Sequence, residues 1–310
     1  MKLINIKGNT YYIKGGTNTG VIKLENNNAL IIDPGRYGVR QKRMMELLKE
    51  NNMDIKYIIN THEHGDHYEG CSYLKKIDDN IHILSSSEAK IFIDNPNKLA
   101  DYIVGGKANK FLKFKEFEDK NNFTKVDYII DEGKVVLNNR KFEIIKLSGH
   151  TEGSIGVLTE DKILFVGDLF VGSTMLKKFD LLLLYDVKEY LNSINKVKDI
   201  DFEYMVLGHD KEICSKLDSQ YIINDHINAV NNYVNQVRDL LKSPMTIDNI
   251  LKNIIINNSL SCNYTEYHYF RSSIVSIISY LCDLEEIDYS IELGEMLYYS
   301  KKAEIMLKYI

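Results

Sequence analysis

The stretch that most constrains this chain is His62-Glu63-His64-Gly65-Asp66-His67, three imidazoles and two carboxylates, one residue after the apolar run Ile55-Lys56-Tyr57-Ile58-Ile59-Asn60. Imidazole nitrogens and carboxylate oxygens are the donors that zinc and similar divalent ions take. On an extended turn His62 and His64 point the same way, with Glu63 read as a solvated residue between them. Asp66 and His67 follow one turn on, entering a helix expected over Tyr68 to Ile77, from where they reach a second ion.

Four other apolar runs stop in the same manner. Ala29-Leu30-Ile31-Ile32 ends at Asp33-Pro34-Gly35, Ile144-Ile145-Lys146-Leu147 at Ser148-Gly149-His150, Ile163-Leu164-Phe165-Val166 at Gly167-Asp168, and Tyr204-Met205-Val206-Leu207 at Gly208-His209. A β-branched and aliphatic run bounded by Gly or Pro reads as a buried strand followed by a turn. If neighbouring strands share a direction, these ends lie along one sheet edge and residues more than a hundred positions apart meet. His150, Asp168 and His209 bring the candidate ligands to seven. One catalytic zinc takes three protein ligands and an open position, so seven suit two ions roughly 3.5 to 4 Å apart, bridged by a carboxylate and a water. The bridging hydroxide is then the nucleophile, with Asp66 placed to orient it or pass its proton. Asp33 either closes an Asp-Pro turn or holds a ligand imidazole through its other nitrogen.

These residues resemble the motifs of the metallo-β-lactamase superfamily. Asp33 matches the first, His62-x-His64-x-Asp66-His67 the second, and His150, Asp168 and His209 the third to fifth, over about residues 1 to 215. The resemblance implies an α/β fold, an αββα sandwich with metals at one edge of two sheets. It also implies that His62, His64 and His150 bind one ion, that Asp66, His67 and His209 bind the other, and that Asp168 bridges them. Ile31-Ile32-Asp33-Pro34-Gly35 and Gly149-His150-Thr151-Glu152-Gly153-Ser154 are similar to the glyoxalase II-like branch. The Asp168-to-His209 distance is too short for the inserted domain of the RNA-cleaving β-CASP members, and Asp168 departs from the antibiotic-hydrolysing enzymes.

From about residue 216 to 310 the chain turns helical. Thr246 and Thr265 read as helix caps, the second helix running to about Asp283 with Phe270, Ile274, Ile277, Ile278 and Leu281 on one face. Residues 288–299 read as a hairpin turning near Gly294, so the tail resembles a small, mainly α, winged-helix-like domain. Between residues 86 and 127 Phe111, Phe114 and Phe117 alternate with lysines, either an amphipathic helix or a lid over the site.

The balance of 39 Lys+Arg against 44 Asp+Glu, a net charge of −5, argues against a nucleic-acid backbone or anionic membrane as main partner. From Lys211 onward 9 basic residues face 13 acidic ones, so the tail lacks the cationic surface that phosphate contacts need. A homodimer contact or closure of one pocket wall fits it better. Cys71, Cys214, Cys262 and Cys282 form no CxxC pair and read as free thiols; with no signal-peptide core and no long apolar span, the expected location is cytoplasmic. His82 reads as the outward position of a strand, His226 and His268 as helix histidines outside the site, and the 21 Tyr as packing.

The leading function is a hydrolase with two divalent ions, zinc foremost and iron or manganese also suited, that cleaves an ester, thioester, phosphodiester or related bond in a small molecule. The alternatives are a persulfide dioxygenase-like oxidoreductase with one iron, a nuclease that holds RNA or DNA through the tail, and a metal-dependent sensor or scaffold.

Overall fold

The structure, a computed structural model, describes residues 1–112, 123–178, 181–209 and 213–301. Phe114 and Phe117 lie outside these residues; Phe111 is exposed.

Seven strands form the first sheet, in chain order across it: β1 (Leu3–Lys7), β2 (Thr10–Ile13), β3 (Thr19–Lys23), β4 (Asn28–Ile32), β5 (Asp54–Ile59), β6 (His82–Ser85) and β7 (Tyr128–Ile129). The first four are antiparallel neighbours and the last four run parallel. The second sheet carries β8 (Gly133–Leu137), β9 (Arg140–Lys146), β10 (Ile155–Thr159), β11 (Ile163–Phe165), β12 (Tyr204–Val206) and β13 (Cys214–Ser215), ordered β13-β12-β11-β10-β9-β8. The helices are α1 (Val39–Glu50), α2 (Gly65–Tyr68), α3 (Gly70–Ile77), α4 (Ser87–Ile93), α5 (Asn97–Val104), α6 (Ser173–Lys178), α7 (Val187–Asp199), α8 (Ser219–Leu240), α9 (Ile247–Asn257) and α10 (Tyr264–Asp283). A hairpin of β14 (Ile287–Glu292) and β15 (Glu295–Ser300) follows.

Strand alternation builds the layers. Leu30 and Ile32 face inward to meet Ile144, Val157 and Phe165 of the second sheet, whereas Ile31 faces out onto Met44 and Leu48 of α1 and Leu74 of α3. The same switch separates Ile58 from Ile59, and Ile144 from Ile145. Because side chains on a strand alternate with period two, an unbroken apolar run is what a strand buried on both faces requires. The outer face of the second sheet, with Ile145, Leu164 and Met205, packs on α7 and the C-terminal helices in one continuous core. The architecture is therefore helices, sheet, sheet, helices, the expected αββα sandwich.

Local details differ from expectation at three points. The expected Tyr68–Ile77 helix is two pieces: Asp66 and His67 sit within α2, and Gly70 opens α3 close against Gln41 and the Gly35 carbonyl. α10 is capped by Asn263, whose side chain accepts from the Thr265 and Glu266 N–H groups while Glu266 reaches back to the Asn263 N–H. Thr265 is the second helical residue, because Asn satisfies the free N–H groups of a first turn as well as Thr and here brings Glu266 into a reciprocal cap. Third, the five ligand-bearing strand ends belong to two sheets, β4 and β5 to the first and β9, β11 and β12 to the second. Thr246 caps α9 as expected, and the β14–β15 hairpin turns at Leu293-Gly294, both at positive φ.

Candidate metal centre

All seven sequence-derived ligand residues converge where the C-terminal ends of these strands meet. Ligand atoms of His62, His64, His150 and Asp168 lie within 4.8 Å of one another, and so do those of Asp66, His67 and His209. Asp168 joins the two groups. Its Oδ1 is 3.2 Å from His67 Nε2, and its Oδ2 is 3.4 Å from His209 Nε2, 3.8 Å from His150 Nε2 and 3.9 Å from His62 Nε2. Asp66 Oδ2 is 3.1 Å from His209 Nε2.

The second ring nitrogens are also engaged. His67 Nδ1 is 2.8 Å from Asp33 Oδ2, His150 Nδ1 is 3.0 Å from the Leu183 carbonyl, His62 Nδ1 is 3.1 Å from Thr61 Oγ1, and His209 Nδ1 meets the Gly16 carbonyl. Such partners fix the ring orientation and turn the other nitrogen toward an ion. Asp33 is held at φ 52° and accepts from both the N–H and hydroxyl of Thr61. Thr61 thus ties Asp33 to His62, a link the sequence reading left unassigned although Thr61 precedes the motif directly.

The donor set fits divalent ions. His62 Nε2 is buried without a hydrogen-bond partner, an arrangement that costs free energy unless something fills the space beside it. Burial holds His62 and His150 below the ordinary imidazole range, and burial with the neighbouring His150 takes His64 down to about 3, which favours the neutral rings that bind cations; His150 Nε2 lies 3.0 Å from His64 Nδ1. His67 and His209 behave oppositely. Burial opposes their charge, but Asp168 with Asp33 lifts His67, and Asp168 with Asp66 lifts His209 to about 10. The carboxylates thus favour the protonated rings, and a cation bound among them would take the place of those protons.

Glu63 is a correction. It is 3 % exposed, not solvated, and its Oε2 accepts from Thr151 Oγ1 at 2.9 Å, which contacts Ser154 Oγ at 2.9 Å. His62 and His64 turn one way and Glu63 the other, where the Thr151 turn covers it instead of water. Burial pushes its carboxyl up to about 7 from 4.5. A folded-state value above the ordinary one means that stability is full below about pH 4.5 and declines as pH rises through 7. In the metal-free protein Glu63→Gln is therefore expected to gain Tm over wild type progressively from pH 5 to pH 8, measured by thermal melts; a difference constant with pH contradicts this.

The other histidines lie outside the cluster. His82 stacks between Tyr57 and Tyr128. His226 is buried on α8, accepting from the Val171 N–H and paired with the Ile222 carbonyl, while His268 lies against Tyr264 and Tyr267.

The fold and the donor set together define a β-sheet-sandwich metalloprotein. The family model for the metallo-beta-lactamase superfamily matches residues 12–209, and the chain belongs to that superfamily, in its glyoxalase II-like branch. It is 30 % identical over 158 residues to the hydroxyacylglutathione hydrolase GloC of Haemophilus influenzae, covering 50 % of this chain and 68 % of that one. It is 22 % identical to hydroxyacylglutathione hydrolase 1 of Vibrio vulnificus over 81 % of this chain and 90 % of that one. The beta-lactamase-like protein 2 homolog of Caenorhabditis elegans is 25 % identical over 66 % of this chain, which spans only 56 % of the worm protein. A β-lactamase domain protein from Burkholderia ambifaria shares the fold with a TM-score of 0.74 at 14 % identity, covering 96 % of this chain and 93 % of that one. The chain is a metallo-hydrolase, and among its described residues no helix is long and apolar enough to cross a membrane.

Proposed function

We propose that this chain is a dinuclear hydrolase, zinc-dependent, that cleaves an ester or thioester bond of a small-molecule substrate. The observation that carries this reading is Asp168, whose carboxylate lies within reach of both donor groups: Oδ2 is 3.8 and 3.9 Å from His150 and His62, while Oδ1 is 3.2 Å from His67 and Oδ2 3.4 Å from His209. His62, His64 and His150 would hold one ion and Asp66, His67 and His209 the other, with Asp168 shared. The ions, when bound, lower the pKa of water toward neutrality and polarise the oxygen of the bond under attack. Asp33 keeps His67 oriented through Nδ1, and the Leu183 carbonyl does the same for His150. Asp66 lines the cavity above the cluster, where its carboxylate orients the attacking water and takes its proton. Residues 1–215 form the catalytic domain in this reading, and 216–310 an appended domain of winged-helix type that walls the cavity; the net acidic tail supports a small-molecule partner over nucleic acid.

A complete second donor group favours hydrolysis over the one-iron dioxygenase reading. Protein purified without added metal is expected to contain close to two zinc per chain by elemental analysis and to hydrolyse members of an ester and thioester panel, with a strong chelator lowering both activity and Tm. One iron per chain with oxygen uptake on a persulfide overturns the proposal.

A further inference from the structure

Above the cluster lies a cavity of about 380 Å³ whose floor includes His64, Asp66, His150, Asp168 and His209 and one wall of which is apolar, formed by Met175, Leu181, Leu182, Leu183 and Phe270. The wall is held in place from the C-terminal helix. Ser273 Oγ on α10 donates to the Leu182 carbonyl at 2.8 Å and accepts from the Leu184 N–H at 3.1 Å, and Ser276 Oγ accepts from the Val187 N–H. Among the described residues, Arg36, Glu69 and Glu266 also line this cavity. Arg36 is largely exposed and 3.9 Å from Glu69, and Glu266 is tied into the α10 cap. Leu182 and Leu183 are only half-buried, so a ligand that covers them gains free energy from apolar area.

A second cavity of about 550 Å³ lies on the other side of His64 and His150, sharing Leu99, Leu183 and Leu184 with the first. Its lining mixes charged side chains, Glu152, Asp186, Lys188 and Arg271, with apolar ones such as Phe92 and Ile103. Only the first cavity is lined by residues of both donor groups: the second sees His64 and His150 but not Asp66, Asp168 or His209.

Resting on the hydrolase reading above, we infer that the substrate is an ester or thioester of an apolar acid with a polar, charged alcohol or thiol. The acyl chain occupies the leucine-walled cavity, with the carbonyl over Asp168, and the leaving group lies past His64 and His150 in the second cavity, its charged part beside Lys188 and Arg271. Water adds its oxygen to the acyl carbon, the C–O or C–S bond breaks, and the alcohol or thiol leaves with the water's proton. The relatives named hydroxyacylglutathione hydrolases point to a short hydroxyacyl group, so this assignment separates the chain from them.

The test is a series of thioesters of N-acetylcysteamine with straight acyl chains of two to eight carbons, assayed on the metal-loaded full chain. Each buried methylene is expected to raise kcat/KM about fourfold until the cavity is filled. Met175→Trp, which narrows the cavity from an exposed helical position, is expected to lower kcat/KM for the six-carbon substrate at least tenfold more than for the two-carbon one. In a second measurement octanoate is expected to raise the Tm more than acetate at equal concentration. Hydrolysis that is flat or falling with chain length, or equal Tm shifts by the two acids, overturns the apolar-acyl assignment while leaving the hydrolase reading intact. Failure to cleave any ester or thioester overturns the hydrolase reading itself.

Discussion

Asp168→Ala is expected to lower kcat/KM by about 10³-fold or more while the protein stays folded. The carboxylate stands between the two donor groups, within 3.2 to 3.9 Å of His67, His209, His150 and His62. Removing it withdraws the shared ligand from both groups at once, and metal polarisation contributes several kcal/mol of transition-state stabilisation, which at about 1.4 kcal/mol per decade is about three powers of ten. In the metal-free protein the same change also removes a buried carboxylate held well below the usual range by His67 and His209, against the opposing effect of burial. His67 then loses one of the two carboxylates that keep it protonated, so metal-free Asp168→Ala is expected to melt lower than metal-free wild type at neutral pH. Steady-state kinetics with zinc in excess, beside elemental analysis, checks the first effect; activity within tenfold of wild type with both ions retained would show that Asp168 is no ligand.

Gly149→Ala is expected to destabilise the fold by about 3 kcal/mol or more, the largest stability effect of any single methyl here. Gly149 has a φ of 132°, a region that residues with a Cβ rarely enter, and a Cβ would stand 2.3 Å from the Tyr190 Cα and 2.4 Å from its N. Both are backbone atoms of α7, so no side-chain rotation relieves the clash. α7 is in turn fixed to this turn, since the Tyr185 and Asp186 N–H groups donate to the Gly149 carbonyl and the Tyr190 hydroxyl donates to the Leu169 carbonyl. Pushing the helix outward opens the core behind the second sheet and displaces His150 next door. Gly133→Ala is the control: its φ is 142° but nothing lies within 4 Å of the added methyl, so it carries backbone strain alone, about 1 kcal/mol. Urea unfolding of both metal-free variants separates the two, and equal losses would mean that the helix does not press on Gly149.

Much of this was legible in the sequence because it follows from one-dimensional rules. A strand buried on both faces needs an unbroken apolar run, and the turn after it needs Gly or Pro, so Asp33, His62 to His67, His150, Asp168 and His209 could be placed at strand ends before any contact was known. What stayed hidden depends on the far side of a turn. Glu63 reads as solvated because alternation shows only that it points away from His62 and His64, and nothing local tells that Thr151, 88 positions on, covers it. The pressure of Tyr190 on Gly149 and the hold of Ser273 on the Leu182–Leu184 segment are likewise contacts between distant elements. Asn263 does not stand out as a cap in the sequence because Thr265, two residues later, satisfies the same residue-type preference, and only the reciprocal Glu266 bond decides between them.

Anomalous X-ray diffraction from crystals of zinc-loaded protein, recorded on both sides of the zinc edge, tests the central claim most directly. The expected result is two peaks per chain, one amid His62, His64 and His150 and one amid Asp66, His67 and His209, each beside an oxygen of Asp168. A single peak at saturating zinc, or peaks away from these residues, would contradict a shared two-ion centre.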